Sequence, residues 1–492
     1  MSVMDRRAFL VRSAAVAGGL AIAGPLEAFR TRVAAAQPVA TAGYGPLVDM
    51  GDLWLPEGFQ YEIISREGDD MTDINPATGL PFPTPSRFDG MAAFADPSGD
   101  TILIRNHENR SRRNNFMPAE TRVEVPNPYD PVIRNPADGQ FCKGGVTKLV
   151  VRNREVDSSI ALLGGTIFNC AGGATPWKTW ITCEEEAVNS GSTAAPIPHG
   201  YVFEVDALAT SPVEPIPIKA AGRFDHEAVV WHDESLYLTE DRNLVPQGGA
   251  CFYRYAPTPR ARQAGDLAAA TGPLDALVVD GYPNLSTSTD WPAAPGEPLS
   301  VSWVTVPDPD PQVNPNGRPN AVRFQAQALG AALFQRTEGC WLGDDRIYFD
   351  CTTGGPAGLG QIWELDPRTM QLRLIFQSND ASSLFQPDNL AVAPTDDLFI
   401  CEDTGAGPDP HLRALTPDGL IYDFARAGRG GLVEGTNRTE FCGACFSPVP
   451  HPKPRSGGLD LSTLTLYVNQ QGDPEGEAPA VTYAIWGPWK RD

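Results

Sequence analysis

The stretch DHEAVVWHDESLYLTED, residues 225–241, decides the fold of this chain. An acidic start leads into a short apolar strand, a turn, and a second β-rich strand that ends in polar residues. Strands dense in Val, Ile, Tyr, Phe and Trp with period-2 alternation follow most copies of this pattern. The pattern occurs six times, at residues 88–108, 169–186, 225–241, 337–353, 387–403 and 439–471. Six antiparallel sheets repeated radially predict an all-β fold, a six-bladed β-propeller.

Composition supports an all-β chain. The 492 residues include 48 Gly and 47 Pro, a density at which long helices do not survive. The lone strand signal GFQYEIIS, residues 58–65, is predicted to complete the last blade and so close the ring with the N-terminal segment. Residues 37–492 are therefore predicted to form one propeller domain, with surface excursions near 109–141 and 256–320.

The net charge narrows the possible partners. The chain has 38 Lys and Arg against 61 Asp and Glu, a formal net charge of −23. Nucleic acid and anionic membrane surfaces would repel such a chain, whereas metal cations would not. We therefore expect no nucleic-acid partner and no membrane partner for the mature chain. A monomer is expected.

The first 36 residues are predicted to be a twin-arginine signal peptide. Arg6 and Arg7 precede Phe-Leu and a weakly hydrophobic stretch, and three alanines at 34–36 offer a cleavage site. The interpretation predicts export by the twin-arginine machinery to the periplasm or the cell exterior. Removal of this basic segment would leave the mature chain more acidic.

The repeat gathers acidic residues at one rim of the predicted propeller. The first strand of each blade lines the channel, and the antiparallel second strand returns to the rim where the first began. The starts of the first strands are Asp89, Cys170, Glu227, Glu338, Asp388 and Glu440. The ends of the second strands are Glu108, Glu184, Glu185, Glu240, Asp241, Glu402 and Asp403. Taken singly, each acid could be a solvated turn residue, but together they cannot all ionise without cations.

The ligand types predict more than one kind of metal. Carboxylates suit hard ions such as Ca²⁺, whereas a thiolate at Cys170 suits iron or zinc. The other cysteines of the apolar strands, such as Cys183, are interpreted as small core residues. Cys442 and Cys445 form a single CxxC pair and are interpreted as strand residues.

These motifs resemble the PhoX-type secreted alkaline phosphatases. The resemblance is sharpest at NCAGGATPWKTWITCEE (169–185), GRFDHEAVV (222–230), YLTEDR (237–242) and EFCGACFSP (440–448). It implies twin-arginine export, six blades, calcium ions, and an iron (Fe³⁺) pair of which one ion is bound by a cysteine. Carried onto this chain, that cysteine is Cys170. The implied carboxylate ligands are Glu184 or Glu185, Glu227, Glu338 and Asp403.

We therefore expect an exported phosphatase that hydrolyses small phosphomonoesters with a calcium and iron cluster. Arg223 and Arg336 immediately precede rim acids and are predicted to hold phosphate oxygens; salt bridges to those acids are the alternative. The full set of predicted metal ligands is Cys170, Glu108, Glu184, Glu185, Glu227, Asp241, Glu338, Glu402, Asp403 and Glu440. Two other functions remain open, a calcium-dependent lactonase or arylesterase and a non-enzymatic binding propeller.

Overall fold

The computed structural model describes residues 42–109, 121–131, 142–188, 197–286, 295–405, 409–428, 440–448, 460–472 and 478–490. Within these ranges the chain is all-β with a propeller-like arrangement of sheets, as predicted. The predicted signal peptide lies outside the described residues, as does most of the excursion near 109–141.

The strands are numbered in chain order. The N-terminal strands are β1 (Leu47–Asp49), β2 (Leu53–Pro56), β3 (Gln60–Arg66), β4 (Asp70–Ile74) and β5 (Pro81–Pro83). The next are β6 (Phe88–Ala95), β7 (Thr101–His107), β8 (Gly144–Arg152), β9 (Glu155–Thr166), β10 (Asn169–Ala174), β11 (Thr179–Glu184) and β12 (Val202–Asp206). Then come β13 (His226–His232), β14 (Ser235–Glu240), β15 (Tyr253–Tyr255), β16 (Leu274–Val279) and β17 (Leu299–Thr305). The last are β18 (Thr337–Gly343), β19 (Arg346–Cys351), β20 (Gln361–Asp366), β21 (Gln371–Gln377), β22 (Pro387–Val392), β23 (Leu398–Glu402), β24 (His411–Leu415), β25 (Ile421–Ala427), β26 (Phe441–Phe446), β27 (Thr465–Gln470) and β28 (Val481–Trp486).

Helices are few and short. The described α-helices span Asp266–Ala269 and Val322–Ala328, and 3₁₀ turns span Lys219–Ala221 and Leu461–Thr463. None of the described helices has the length and apolarity that a transmembrane helix requires.

The sheets follow the repeat. Strands β6–β9 form one sheet and β10–β12 another, and β22–β25 continue into β2 and β1. Strands β26–β28 form a sheet in which β28 pairs with β3, a strand from the N-terminal part of the chain. Strands β13–β16 and β18–β21 join through β17 into one nine-stranded sheet. Segment 256–320, predicted as a surface excursion, thus supplies β16 and β17. Apolar residues of these two strands are buried in one cluster with residues of β13, β14 and β18–β21.

In the described part of the chain, six strands contact one another in a ring, hereafter called the inner ring. Strands β6, β10, β13, β18, β22 and β26 each contact the next, and β26 contacts β6. Each pair of neighbouring sheets buries its own apolar cluster, as in a radial repeat whose units pack only on their neighbours. Trp180, for example, packs in the cluster between the β6–β9 and β10–β12 sheets, and its indole N–H donates to Asn106 Oδ1 at 2.8 Å.

A register shift recurs near the start of every inner strand. In β6 the residues Phe88 and Met91 pair with His107 and Arg105, so the inner strand uses one residue more than its partner. The five other inner strands carry an equivalent shift. A bulge of this kind bends the strand and re-aims the side chain of the extra residue. It fixes which residues face the channel.

Small residues let the inner strands approach closely beyond the bulge. A Cβ at Gly90 would lie 2.5 Å from Ala171 Cα, and one at Gly339 would lie 2.1 Å from the carbonyl oxygen of Asp388. At Gly443, whose φ is +60°, it would lie 2.4 Å from the carbonyl oxygen of Asp89. These positions require glycine because any side chain would push the ring apart.

Candidate metal centre

Five of the six first-strand residues predicted from the repeat occupy the second position of an inner strand. They are Asp89, Cys170, Glu227, Glu338 and Asp388. In β26 the second residue is Cys442, and Glu440 lies just before the strand. The contacts agree, because Cys442 Sγ lies 3.1 Å from the carbonyl oxygen of Phe88, as Cys170 Sγ lies 3.2 Å from that of His226. For the last copy of the repeat, the predicted residue Glu440 is therefore two positions before the residue that occupies the equivalent strand position, Cys442.

In each sheet the last residue of the second strand pairs with the first residue of the inner strand. The residue that follows this pair is the one that can reach the rim. Phe88 pairs with His107, Asn169 with Glu184, and Pro387 with Glu402. The following residues are Glu108, Glu185, Asp241, Thr352, Asp403 and Gln471. Four of these six are acids that reach the mouth of the channel. In the β26–β28 sheet Gln471 instead donates to Asp89 Oδ2 at 2.7 Å and Glu108 Oε2 at 2.6 Å.

Three groups of ligand atoms converge at this mouth, each with its atoms within 4.8 Å of one another. The groups are Cys170, Glu185 and Glu227; Asp89, Glu108 and Glu440; and Asp388, Asp403 and Glu440. Glu440 belongs to two of them, so it reaches the cluster although its register differs from the one predicted. Hereafter these residues, with Asp241 and Glu338, are called the rim cluster.

The paired strand-end acids point the other way. Glu184 accepts hydrogen bonds from the backbone N–H groups of Ile167, Gly200 and Tyr201. Glu402 accepts from the N–H groups of Phe385 and His411. Successive side chains alternate between the faces of a strand, so these acids face the sheet when the next residue faces the channel. Of the alternative ligands Glu184 and Glu185, the structure brings Glu185 to the rim cluster, and it places Glu184 and Glu402 outside it.

The two predicted arginines differ in their surroundings. Arg336 Nε lies 2.8 Å from Asp241 Oδ1, and its Nη2 contacts Glu338, so this guanidinium is inside the rim cluster. Arg223 is completely buried and donates to the backbone carbonyls of His199, Pro311 and Val188. The geometry therefore favours the salt-bridge alternative for Arg336 and a structural role for Arg223.

Burial and mutual repulsion perturb the acids of the rim cluster. Burial raises the pKa of Glu227 well above its ordinary value, and the charges of Glu338 and Asp89 raise it further. The pKa of Glu185 is also raised well above its ordinary value, mainly by burial and then by the charges of Glu227 and Asp241. The pKa values of Asp89, Glu338, Asp388, Glu440 and the Cys170 thiol are likewise raised, with burial as the largest cause.

The donor set fits metal ions. The rim cluster contains nine carboxylates and one thiol. Among the described residues, the guanidinium groups in direct contact with it are those of Arg87 and Arg336. Asp350 Oδ2, which is buried beside Gly339, has no hydrogen-bond partner in the described part of the chain. Cations would neutralise this excess and give the carboxylates partners.

Sequence reasoning missed three residues here: Cys442, Gln471 and Asp350. Cys442 could have been found from the sequence, because FCGA at 441–444 resembles NCAG at 169–172, with a cysteine in the second position and small residues after it. Gln471 and Asp350 had no such signal, since a glutamine and a strand-interior acid do not stand out from the pattern.

A family model and a solved structure match most of this chain. The family model of the alkaline phosphatase PhoX matches residues 42–161 and 144–451. The structure of Pseudomonas fluorescens PhoX in complex with vanadate, a transition state analogue, is 15% identical, with a TM-score of 0.63 over 93% of this chain and 98% of that one. A thermostable family-43 glycoside hydrolase is 12% identical, with a TM-score of 0.32 over 78% of this chain and 100% of that one. No curated protein matches the chain.

Proposed function

We propose that this chain, which belongs to the PhoX family of alkaline phosphatases, hydrolyses phosphomonoesters with calcium and iron ions held by the rim cluster. The convergence of nine carboxylates and Cys170 at one mouth of the channel carries the proposal. Phosphate esters are anions and would be repelled by a chain of net charge −23. Cations at the rim cluster would reverse that repulsion where the substrate has to bind.

The groups of ligands differ in the ion that they suit. Cys170, Glu185 and Glu227 combine a thiolate with carboxylates, and we assign this group to iron. The two groups that share Glu440 offer carboxylates alone, and we assign them to calcium. Bound there, such ions supply charge neutralisation and Lewis-acid polarisation of a phosphoryl oxygen.

The protein's own contribution is to hold the ligands in place. Arg336 contacts both Asp241 and Glu338, and Arg87 contacts Glu108 at 2.6 Å. Each of these arginines precedes its inner strand and has a positive φ, so the local backbone aims the guanidinium back toward the second-strand end. We propose that they are positioning residues, which keep neighbouring carboxylates fixed for ion binding. Arg223, by contrast, donates hydrogen bonds to three backbone carbonyls and contacts no carboxylate in the described part of the chain.

The finer architecture is also part of the proposal. Six blades would follow the six inner strands, with the sheet of β18–β21 and that of β13–β16 counted separately although β17 links them. The pairing of Thr482 with Ser65 and of Trp486 with Gln60 supports closure of the ring by the N-terminal strand β3. Export through the twin-arginine pathway, a periplasmic or extracellular location and a monomeric state complete the proposal.

Elemental analysis of protein purified after native export, combined with a phosphomonoesterase assay, tests this function. We expect iron and calcium to co-purify and hydrolysis of p-nitrophenyl phosphate to be lost on chelation. Calcium alone with lactone hydrolysis would identify a lactonase instead. A chain without tightly bound metal and without either activity would be a binding propeller.

A further inference from the structure

Three potential metal ligands meet behind the β10–β12 sheet, outside the rim cluster. They are Asp130, Cys142 and His199, and their ligand atoms lie within 4.8 Å of one another. All three are buried, with 4%, 7% and 0% of their surfaces exposed. They come from different parts of the chain, since Asp130 lies in the connection between β7 and β8, Cys142 lies just before β8 and His199 lies just before β12.

The distances match a shared ion better than a pair of hydrogen bonds. His199 Nε2 lies 3.5 Å from Asp130 Oδ2 and 3.7 Å from Cys142 Sγ. Charge-assisted hydrogen bonds between nitrogen and carboxylate are about 2.7–2.9 Å long, and one Nε2 proton could serve only one of the two acceptors well. Tetrahedral zinc, with bonds of about 2.0–2.3 Å, separates its nitrogen, oxygen and sulfur ligands by about 3.3–3.6 Å.

Glu184 orients the imidazole for such a role. Its Oε1 lies 2.6 Å from His199 Nδ1, and the N–H groups of Ile167, Gly200 and Tyr201 hold the carboxylate in place. With Nδ1–H donated to Glu184, the lone pair of Nε2 faces Asp130 and Cys142. A carboxylate behind a histidine in this way is the usual support of a metal-bound imidazole. Tyr129 packs edge-on against the ring at 5.2 Å and keeps it in that orientation.

We propose that Asp130, Cys142 and His199 bind a zinc ion, with Glu184 as the positioning residue. A dication would neutralise the buried carboxylate and thiolate, and the mixture of nitrogen, sulfur and oxygen ligands suits zinc rather than calcium. A tetrahedral ion needs a fourth ligand, which a water molecule can supply. Glu184 ends β11 and is followed directly by Glu185 of the rim cluster. An ion bound to His199 would therefore also hold the end of β11, and with it Glu185, in place.

Cobalt substitution tests the zinc site independently of phosphatase activity. The parent protein is the full-length Cys170→Ser variant, which removes the thiol of the rim cluster, loaded with Co²⁺. We expect a thiolate-to-cobalt charge-transfer band and the intense visible bands of a tetrahedral ion. Adding Cys142→Ser should abolish the charge-transfer band. Adding Cys445→Ser, a buried cysteine in the apolar cluster between the β26–β28 and β6–β9 sheets, should leave it unchanged.

Two results would overturn the site: a parent without a thiolate band, or a band that survives Cys142→Ser. If the Cys142→Ser protein does not fold, X-ray absorption at the zinc edge of the zinc-loaded parent decides. We expect one sulfur neighbour at about 2.3 Å. A zinc shell that contains no sulfur contradicts the proposal, whatever the phosphatase assay gives.

Discussion

Glu184 and Glu185 are adjacent in sequence, yet their carboxylates lie on opposite sides of the same strand end. Glu184 faces the sheet and accepts hydrogen bonds from three backbone N–H groups and from His199, whereas Glu185 faces the channel beside Cys170 and Glu227. The carboxylate of Glu184 is satisfied by hydrogen-bond donors of the protein. The carboxylate of Glu185 is surrounded by groups of like charge, and cations would have to neutralise this repulsion. The two glutamates therefore have different roles although they have the same chemistry.

Replacing each glutamate by glutamine should separate those roles. Glu184→Gln leaves buried donors without a charged acceptor and should lower the free energy of unfolding by about 3 kcal/mol. Glu185→Gln removes one ligand and one like charge, so it should reduce iron content and activity while the metal-free protein keeps or gains stability. Chemical denaturation of chelated protein and elemental analysis measure both effects. Equal loss of stability in the two variants would contradict this division.

The two thiols of the inner ring should behave differently. Cys170 and Cys442 occupy the same strand position, but only Cys170 has two carboxylates within ligand distance among the described residues. Cys170→Ala should remove the iron and abolish phosphatase activity, with calcium partly retained. Cys442→Ala is the matched control and should keep both iron and activity, and Cys183→Ala should cost only about 1 kcal/mol. Unchanged iron content and turnover in Cys170→Ala would contradict the assignment.

Metal removal should make stability depend on pH in a characteristic direction. Burial and repulsion raise the folded-state pKa values of Asp89, Glu185, Glu227 and Asp388 above their unfolded values. Chelated protein is then fully stabilised by these groups below their unfolded pKa values, near 4, and loses stability as the pH rises through the raised ones. A tenfold difference between the folded and unfolded ionisation constants of one group changes the free energy of unfolding by about 1.4 kcal/mol.

Thermal unfolding between pH 5 and pH 9 measures this dependence. Calcium- and iron-loaded protein should show little of the decline because the cations stabilise the ionised carboxylates. The difference between the two curves isolates the rim cluster from other titrating groups. A chelated protein that gains stability relative to the loaded one as the pH rises would mean that cations do not neutralise these acids.

Strand β3 should be needed for stability. It completes the β26–β28 sheet, and its neighbour Phe59 packs edge-on against Trp489 at 4.9 Å. Deleting residues 52–66 would remove β3 together with β2, expose the edges of β28 and β25 and open the aromatic cluster, at a cost of about 5 kcal/mol or more, comparable to the whole stability of many domains. Circular dichroism and thermal melts of the deletion protein test this. A soluble deletion variant with an unchanged melting temperature would rule out closure by this strand.

Export should depend on the arginine pair at the N-terminus. Lysine keeps the charge but not the guanidinium, so replacing both Arg6 and Arg7 by lysine should leave an unprocessed precursor in the cytoplasm. Fractionation and mass measurement of the product report the outcome. A single Arg7→Lys variant serves as the graded control. Normal secretion of the double variant would show that another signal directs export.

The sequence alone determined the strand pattern, the six copies of the repeat, and the accumulation of acids at strand starts and ends. These features are local, since alternation and turn residues are properties of neighbouring positions. They were enough to predict an all-β, propeller-like chain and most members of the rim cluster. Asp89, Cys170, Glu227, Glu338 and Asp388 all lie where the repeat placed them.

Only the tertiary structure decided the register and the long-range contacts. Successive side chains of a strand alternate between its faces, which is why Glu185 rather than Glu184 reaches the rim cluster. In the last copy of the repeat, the pairing of Phe441 with Gln470 makes Cys442 rather than Glu440 the second residue of the inner strand. The meeting of Asp130, Cys142 and His199 depends on the packing of three separate segments. No local pattern encodes such a contact, because it is stabilised by burial of the whole sheet rather than by the neighbours of each residue.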